Sequence, residues 1–463
     1  MCRFSHRRDP MRAAWTLAIL ALVALGCQPR APAGDAAATP TAAPPASVVT
    51  EAEQQRLDAR RLRAPLAHHR LALNAPANAR SPALSADADG TVHLTWLEPI
   101  AQGHRLRHAS RAPGAEAWSS PTTVAEGPAF FANWADLPRA AALPGSDDGL
   151  VAHWLDDLGD DVYAYGARLA HRGSPDASWT PRGWLHDDTS AAEHGFVSYA
   201  VDGNALRAFW LDGRGMPANG PMQLRTATLG RDGAPSASAL VDSRVCECCA
   251  TSAVATADGP RIAYRGRSDE EIRDIYVARP PDPDGEPTAA DASSWPRVRV
   301  HDDDWRIGGC PVNGPAIATT GAHLAVAWFT GADGRPRVQL AWSDDDGRSF
   351  APPIVIDNDD PLGRVMVAPA GSDAVVVVWL GRGGGGPSSG EILLRRVARD
   401  GTRRPPAAAA QLAPTVIRRS AGMPQLVRAG ADDGWIAAWI DSDAGVATAH
   451  IAPAAWGAPD ASP

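Results

Sequence analysis

The chain has 463 residues, with 43 Gly, 41 Pro and 16 Trp, and a formal charge of −9. All 44 of its basic residues are arginine. That excludes lysine Schiff-base chemistry, a phosphate-loop lysine and proton transfer by lysine. The acidic balance argues against nucleic acid or an anionic membrane surface as partner.

From Met11, a more typical start than Met1, the chain opens with a basic residue, Arg12, and an apolar run from Trp15 to Leu25. The run is about eleven residues long, too short to cross a bilayer as a helix. Gly26-Cys27 ends it in the manner of a lipoprotein signal, although Ala24-Leu25 reverses the usual order. The expectation is a signal peptide over residues 1–26 and a diacylglycerol group on Cys27, with plain secretion as the alternative. Removing residues 1–26, which carry four Arg and one Asp, takes the charge to −12. Residues 27–65 form an Ala/Pro-rich tether to roughly Val49 and then a charged segment, Glu51 to Arg63, able to form a short helix. Gln28 is not the aspartate that retains some lipoproteins at the inner membrane. The sequence thus predicts an exported, membrane-anchored lipoprotein on the periplasmic or outer-membrane face, touching the membrane only through its lipid.

Residues 66–463 carry a repeat in which small and apolar residues alternate into an aromatic. The copies end at Trp96, Trp154, Trp210, Tyr264, Trp328, Trp379 and Trp439, spaced from 51 residues (Trp328 to Trp379) to 64 (Tyr264 to Trp328). Strand-like runs at this period, without helical periodicity, mean propeller blades. The fold class is all-β, a β-propeller of six or seven four-stranded blades; six would hold if one copy were a closing half-blade.

Ser343-Asp344-Asp345-Asp346-Gly347-Arg348-Ser349-Phe350 has the form Ser-x-Asp-x-Gly-x-x-aromatic. Ser343 and Asp345 would bond turn amides, Gly347 would supply a positive φ, and Phe350 would tuck between strands. This stretch resembles the Asp-box, or BNR, repeat of sialidase-like propellers, with decayed copies at Ser110 to Trp118 and Ser174 to Trp179. In that family the box is structural and lies on the face away from the catalytic site. The resemblance implies three arginines for a substrate carboxylate, and Arg80-Ser81-Pro82 sits where the first belongs; Arg364 and Arg419 are candidates for the others. It also implies an Asp acid/base and a Tyr nucleophile with a Glu partner late in the chain. The five tyrosines, 163, 165, 199, 264 and 276, all precede the last blades. The family's nucleophile has no matching position, which argues against classical sialidase activity.

Cys246-Glu247-Cys248-Cys249 opens the fourth blade and Cys310 opens the fifth, each just before the innermost strand. Propeller geometry brings those loops to one rim, with Arg265 to Asp274 and His301 to Arg306 beside them. The set Arg244-Val245-Cys246-x-Cys248-Cys249, Tyr264-Arg265 and Cys310-Pro311-Val312-Asn313-Gly314-Pro315 also resembles an exported subgroup of bacterial sialidase-like proteins. Four body cysteines in an oxidising compartment suit two disulfides, with the adjacent Cys248-Cys249 pairing disfavoured. The alternatives are a thiolate site for copper(I) or zinc(II), with His194 or His301 assisting, or a redox pair. No other cofactor is required.

The leading functional reading is binding of a glycan, an anionic ligand or an envelope protein at the central funnel. Arg80, Arg265, Arg267, Arg273 and Arg364 would supply charge-assisted bonds. Asp136, Asp269, Glu271, His194 and Asn313 would take polar contacts, and Trp134 would offer a stacking face. Asn133 to Asp136 and Glu193 to Gly195 open the second and third blades as ligand groups or as turns. The rival reading is an exo-acting, sialidase-like glycoside hydrolase, or a lyase, with Asp136 and Glu271 as its carboxylate pair.

Overall fold

The structure is a computed structural model, and it describes residues 50–146, 148–159, 161–281, 295–400 and 409–456. The expected signal segment, the expected lipidation site Cys27 and the expected tether to Val49 lie outside the described residues. The body is a seven-bladed β-propeller in which every blade is a four-stranded antiparallel sheet. The innermost strands are, in blade order, Arg80–Ala86, Arg139–Ala142, His194–Asp202, Ser252–Thr256, Ala316–Thr320, Gly363–Pro369 and Gln425–Arg428. The last blade takes its outer strand from the other end of the chain: His69–Leu71 pairs antiparallel with Gly445–Ile451. The final repeat therefore becomes a full blade, which settles the count at seven.

The second strand of each blade carries the repeated aromatic. In blade 6 it reads Ala374–Arg382, AVVVVWLGR, buried along almost its whole length. The continuous apolar run reflects burial on both faces, because each blade packs between two others. The cores follow from this. One joins blades 1 and 2 around Leu97 and Trp154, another blades 5 and 6 around Trp342 and Trp379. Others join 2 to 3, 3 to 4, 4 to 5, 6 to 7 and 7 to 1. Most of the apolar core thus lies between neighbouring blades, and a small further cluster of Ala83, Leu137 and Met423 joins blades 1, 2 and 7.

A buried indole or phenol needs a hydrogen-bond partner. Trp96, Trp154 and Trp210 donate to the carboxylates of Glu98, Asp156 and Asp212, two residues ahead in the same strand, at 2.8–3.0 Å. From blade 4 onward the acceptor comes from the preceding blade. Tyr264 donates to Asp242 (2.6 Å), Trp328 to Asp303 (2.6 Å) and Trp379 to Asp357 (2.6 Å). The Trp439 indole nitrogen is buried without an acceptor among the described residues.

The charged N-terminal segment forms the helix Glu51–Arg61, capped by Thr50, whose Oγ1 accepts from the Glu53 N–H. It docks on blade 6 through charge: Arg60 pairs with Asp359 (2.7 Å), and Arg63, just past its end, with Glu391 (2.8 Å). Among the described residues no helix is long and apolar enough to cross a membrane. The Asp-box turn of blade 5 forms as expected. Asp345 accepts from Ser343 Oγ (2.8 Å) and Ser349 N (2.8 Å), Gly347 N donates to Ser343 Oγ (2.8 Å), and Gly347 has φ +81. Phe350 packs against the core between blades 4 and 5.

Candidate functional site

The loops that lead into the innermost strands gather at one end of the axis. Several of those strands begin with a bulge. Register shifts lie between Arg80 and Ala83, Gly195 and Ser198, and Gly363 and Met366. Each holds a non-glycine residue at positive φ: Ser81 (53), Phe196 (55) and Arg364 (56). Such conformations cost about 1–3 kcal/mol apiece and need support. Here it comes from the neighbouring lead-in loop. Ser81 Oγ donates to Asn133 O (3.0 Å), Asp136 accepts from Phe196 N (2.7 Å), and Asn313 accepts from Arg364 N (2.7 Å). Asp136 and Asn313 thus do the same job three blades apart.

Asp136 also belongs to a buried acidic cluster. Gly195 lies against it, and a Cβ there would overlap the Asp136 carboxylate and crowd the Tyr165 ring. Tyr165 donates a short hydrogen bond to Glu193 and stacks on Phe131 at 4.3 Å between centroids. Asp136, Tyr165 and Glu193 are only 2, 2 and 8 % exposed. Burial, helped by the nearby Glu193, pushes Asp136 up to about 8. Burial likewise pushes Glu193 up to about 7, although the Tyr165 hydroxyl opposes it. Near neutral pH the pair therefore holds protons that ordinary carboxylates would have lost. The second Asp136 oxygen has no partner among the described residues.

In the same loop as Asp136, the Trp134 ring carries the Arg364 guanidinium of blade 6 at 4.5 Å from its centroid. Arg364 Nη1 donates to Arg418 O (3.1 Å) and Gly422 O (2.8 Å). Among the described residues no carboxylate pairs with it, and burial pulls it down to about 10. At neutral pH it is still a cation, half-buried beside an aromatic face.

The cysteine rim is assembled differently. Cys248 of blade 4 and Cys310 of blade 5 form a disulfide with a Cα–Cα distance of 5.9 Å, while Cys246 and Cys249 are free thiols with sulfurs 3.2 Å apart. The structure therefore corrects the expectation of two disulfides to one. Arg273 Nη1 sits 3.3 Å from Cys246 Sγ. It also pairs with Glu247 (2.7 Å) and Glu271 (2.9 Å), and Arg267 binds the same two carboxylates. Those bonds, from Arg267 first, pull Glu271 down to about 2.

The sequence candidates thus separate. Asp136 and Glu271 are not brought together by any interaction among the described residues; the carboxylate beside Asp136 is Glu193. Arg267 and Arg273 are both paired with Glu247 and Glu271, and Arg273 keeps a contact to Cys246 Sγ as well. Arg265 spends its donors on the carbonyls of Asn313, Arg273 and Phe329. Asp269 is exposed and pairs with Arg244 at 3.3 Å. His194 is fully buried between Asp188 and Ala192 O and stacks on His186 at 4.2 Å. His301 bonds Asp303 (3.0 Å), away from the cysteines. Arg80 is exposed and Arg419 lies in an exposed turn. Tyr165 was missed because no motif marks it. Its one signal is a tyrosine at the start of a third strand, facing the loop that carries Glu193.

No family model matches this chain, and no curated protein matches it. Solved structures do. The polysaccharide lyase Uly1 aligns with a TM-score of 0.51 at 12% identity, over 81% of this chain and 90% of that one. An α-L-arabinofuranosidase of Fusarium graminearum aligns at 0.46 and 12% identity, over 72% and 98%. The Hadza microbial sialidase Hz136 aligns at 0.40 and 12% identity, over 65% and 63%. At such identity the likeness is one of fold.

Proposed function

We propose that this propeller is an envelope-anchored binding protein whose funnel takes a carboxylate-bearing carbohydrate, such as a uronic or sialic acid residue of a glycan. The observation that carries the reading is Arg364. A half-buried guanidinium without a carboxylate partner is costly, and an anionic ligand would offset that cost through charge-assisted bonds. Trp134 beside it offers the flat apolar face that a sugar ring needs, and Uly1, which the chain resembles in fold, is a polysaccharide lyase. Binding without turnover is favoured because Asp136, Tyr165 and Glu193 are too buried to reach a glycosidic bond in the form described. Calorimetry with acidic and neutral oligosaccharides tests this. Arg364→Gln should weaken binding of an acidic glycan at least about tenfold, the worth of one charge-assisted bond. Binding that prefers neutral glycans, or that ignores Arg364→Gln, refutes it.

A second reading rests on a separate observation, two carboxylates and a phenol with shifted proton affinities in one cluster. Groups of that kind mark acid–base sites. On this reading the chain cleaves a glycosidic bond, and Glu193→Gln abolishes release of reducing ends while leaving glycan binding in place.

A further inference from the structure

The four cysteines at the junction of blades 4 and 5 lie outside the binding reading, and they are unequal. Cys310 is exposed and follows two exposed glycines, Gly308 and Gly309. Its disulfide partner Cys248 is half-buried. Cys246 and Cys249 are 1 % exposed. The sulfurs of Cys246, Cys248 and Cys249 all lie within 4.8 Å of one another. A buried dithiol therefore sits directly beneath a disulfide that solvent can reach.

The charges around the sulfurs distinguish the two chemistries open to such a cluster. A metal cation needs an anionic site. Here the Arg273 guanidinium already lies 3.3 Å from Cys246 Sγ, and Arg265 adds a second positive charge nearby. Those groups compete with a cation but stabilise a thiolate, and the thiolate is the nucleophile in disulfide exchange. Arg273 is in turn fixed by Glu247 and Glu271.

We propose that these cysteines form a thiol–disulfide relay, in which the buried pair Cys246/Cys249 passes two electrons to the exposed pair Cys248/Cys310. The Cys246 thiolate attacks Cys248 Sγ. The Cys248–Cys310 bond breaks, and Cys310 leaves as a thiolate that takes a proton from water. Cys249 then loses its proton and attacks Cys246 Sγ, forming Cys246–Cys249 and releasing Cys248 as a thiolate, which is protonated in turn. The buried pair is oxidised by two electrons and the exposed pair is reduced by two. The Cys310 thiol can then reduce an external disulfide to two thiols, restoring Cys248–Cys310; an external dithiol recharges the relay in reverse.

The test starts from the purified protein, titrated with dithiothreitol to two thiols per chain. A maleimide is added under native conditions, and the labelled and disulfide-linked cysteines are then mapped by mass spectrometry. The relay places the label on Cys310 and leaves Cys246 and Cys249 joined. Cys246→Ser, brought to one thiol per chain, should slow labelling at Cys310 at least about tenfold, because a buried thiol that cannot exchange reacts only on opening. The proposal is overturned if label appears on Cys246 or Cys249 with Cys248–Cys310 intact. It is also overturned if both pairs resist the reductant until the protein is unfolded, or if the protein carries stoichiometric copper or zinc that shields all four thiols. Glycan binding by Cys246→Ser, measured in parallel, keeps this outcome separate from that of the funnel.

Discussion

Asp136→Asn should make the protein less sensitive to alkaline pH, and the size of the effect follows from the site. The Asp136 carboxyl stands at about 8 in the folded chain against an ordinary value of 3.8. Below pH 4 both states are protonated and the shift has no destabilising effect. As pH rises from about 4 to about 8 the unfolded chain releases this proton and the folded chain keeps it, so stability falls throughout that window. At about 1.4 kcal/mol per pKa unit the full loss is about 6 kcal/mol, complete only above pH 8. Asparagine resembles the protonated acid: its oxygen can still accept from Phe196 N. The variant should match the parent only below about pH 4, and between pH 5 and pH 9 its advantage should grow by about 4 kcal/mol. With an unfolding entropy of about 2.1 cal/mol/K per residue over roughly 400 residues, each kcal/mol moves Tm by about 1 °C. Thermal unfolding of both proteins from pH 5 to pH 9 should therefore show curves that diverge by about 5 °C. Parallel curves would refute the reasoning, since Asp136 would then be ionised in the fold at neutral pH.

Two further outcomes follow from the blade architecture. Trp379→Phe removes the donor to Asp357 and leaves that carboxylate short of a partner, whereas Trp439→Phe removes an N–H that has no acceptor among the described residues. The first should lose about 1–3 kcal/mol more than the second in thermal or denaturant unfolding, and equal losses would mean the indole bonds add nothing to packing. A chain beginning after Leu73 should expose Gly445–Ile451 as an unpaired edge and associate, seen as species larger than monomer in size-exclusion chromatography; a well-behaved monomer would contradict the closure described.

The blade count was legible because one constraint repeats: the second strand of every blade is largely buried and carries an aromatic that packs into the core. The closing strand was not legible, since His69–Leu71 is three residues long and carries no pattern of its own. The cysteine rim was foreseen from loop placement, because adjacent blades must bring adjacent lead-in loops together. The pairing within it was not, because spacing alone leaves the partners open. Arg267 and Arg273 read as ligand groups in sequence, yet both are paired with Glu247 and Glu271, short sequence steps away. Arg364 kept its charge because its neighbours, Trp134 and two carbonyls, come from distant loops. The same distance hid the acidic cluster: Asp136, Tyr165 and Glu193 meet only after two blades have folded side by side.

The strand borrowed from the start of the chain has a consequence for how the molecule is made. Leu71 O accepts from Thr448 Oγ1 across 377 residues. Joining ends so far apart costs about 5 kcal/mol of chain entropy before any contact compensates. Hairpins within a blade cost far less and can form in sequence as the polypeptide grows. Connectivity alone therefore favours the inner blades forming first and the circle closing last. Until Ile451 is available the nascent protein is an arc with an open side at each end, and that interval, more than any weakness of the finished ring, is when it most needs protection from its neighbours.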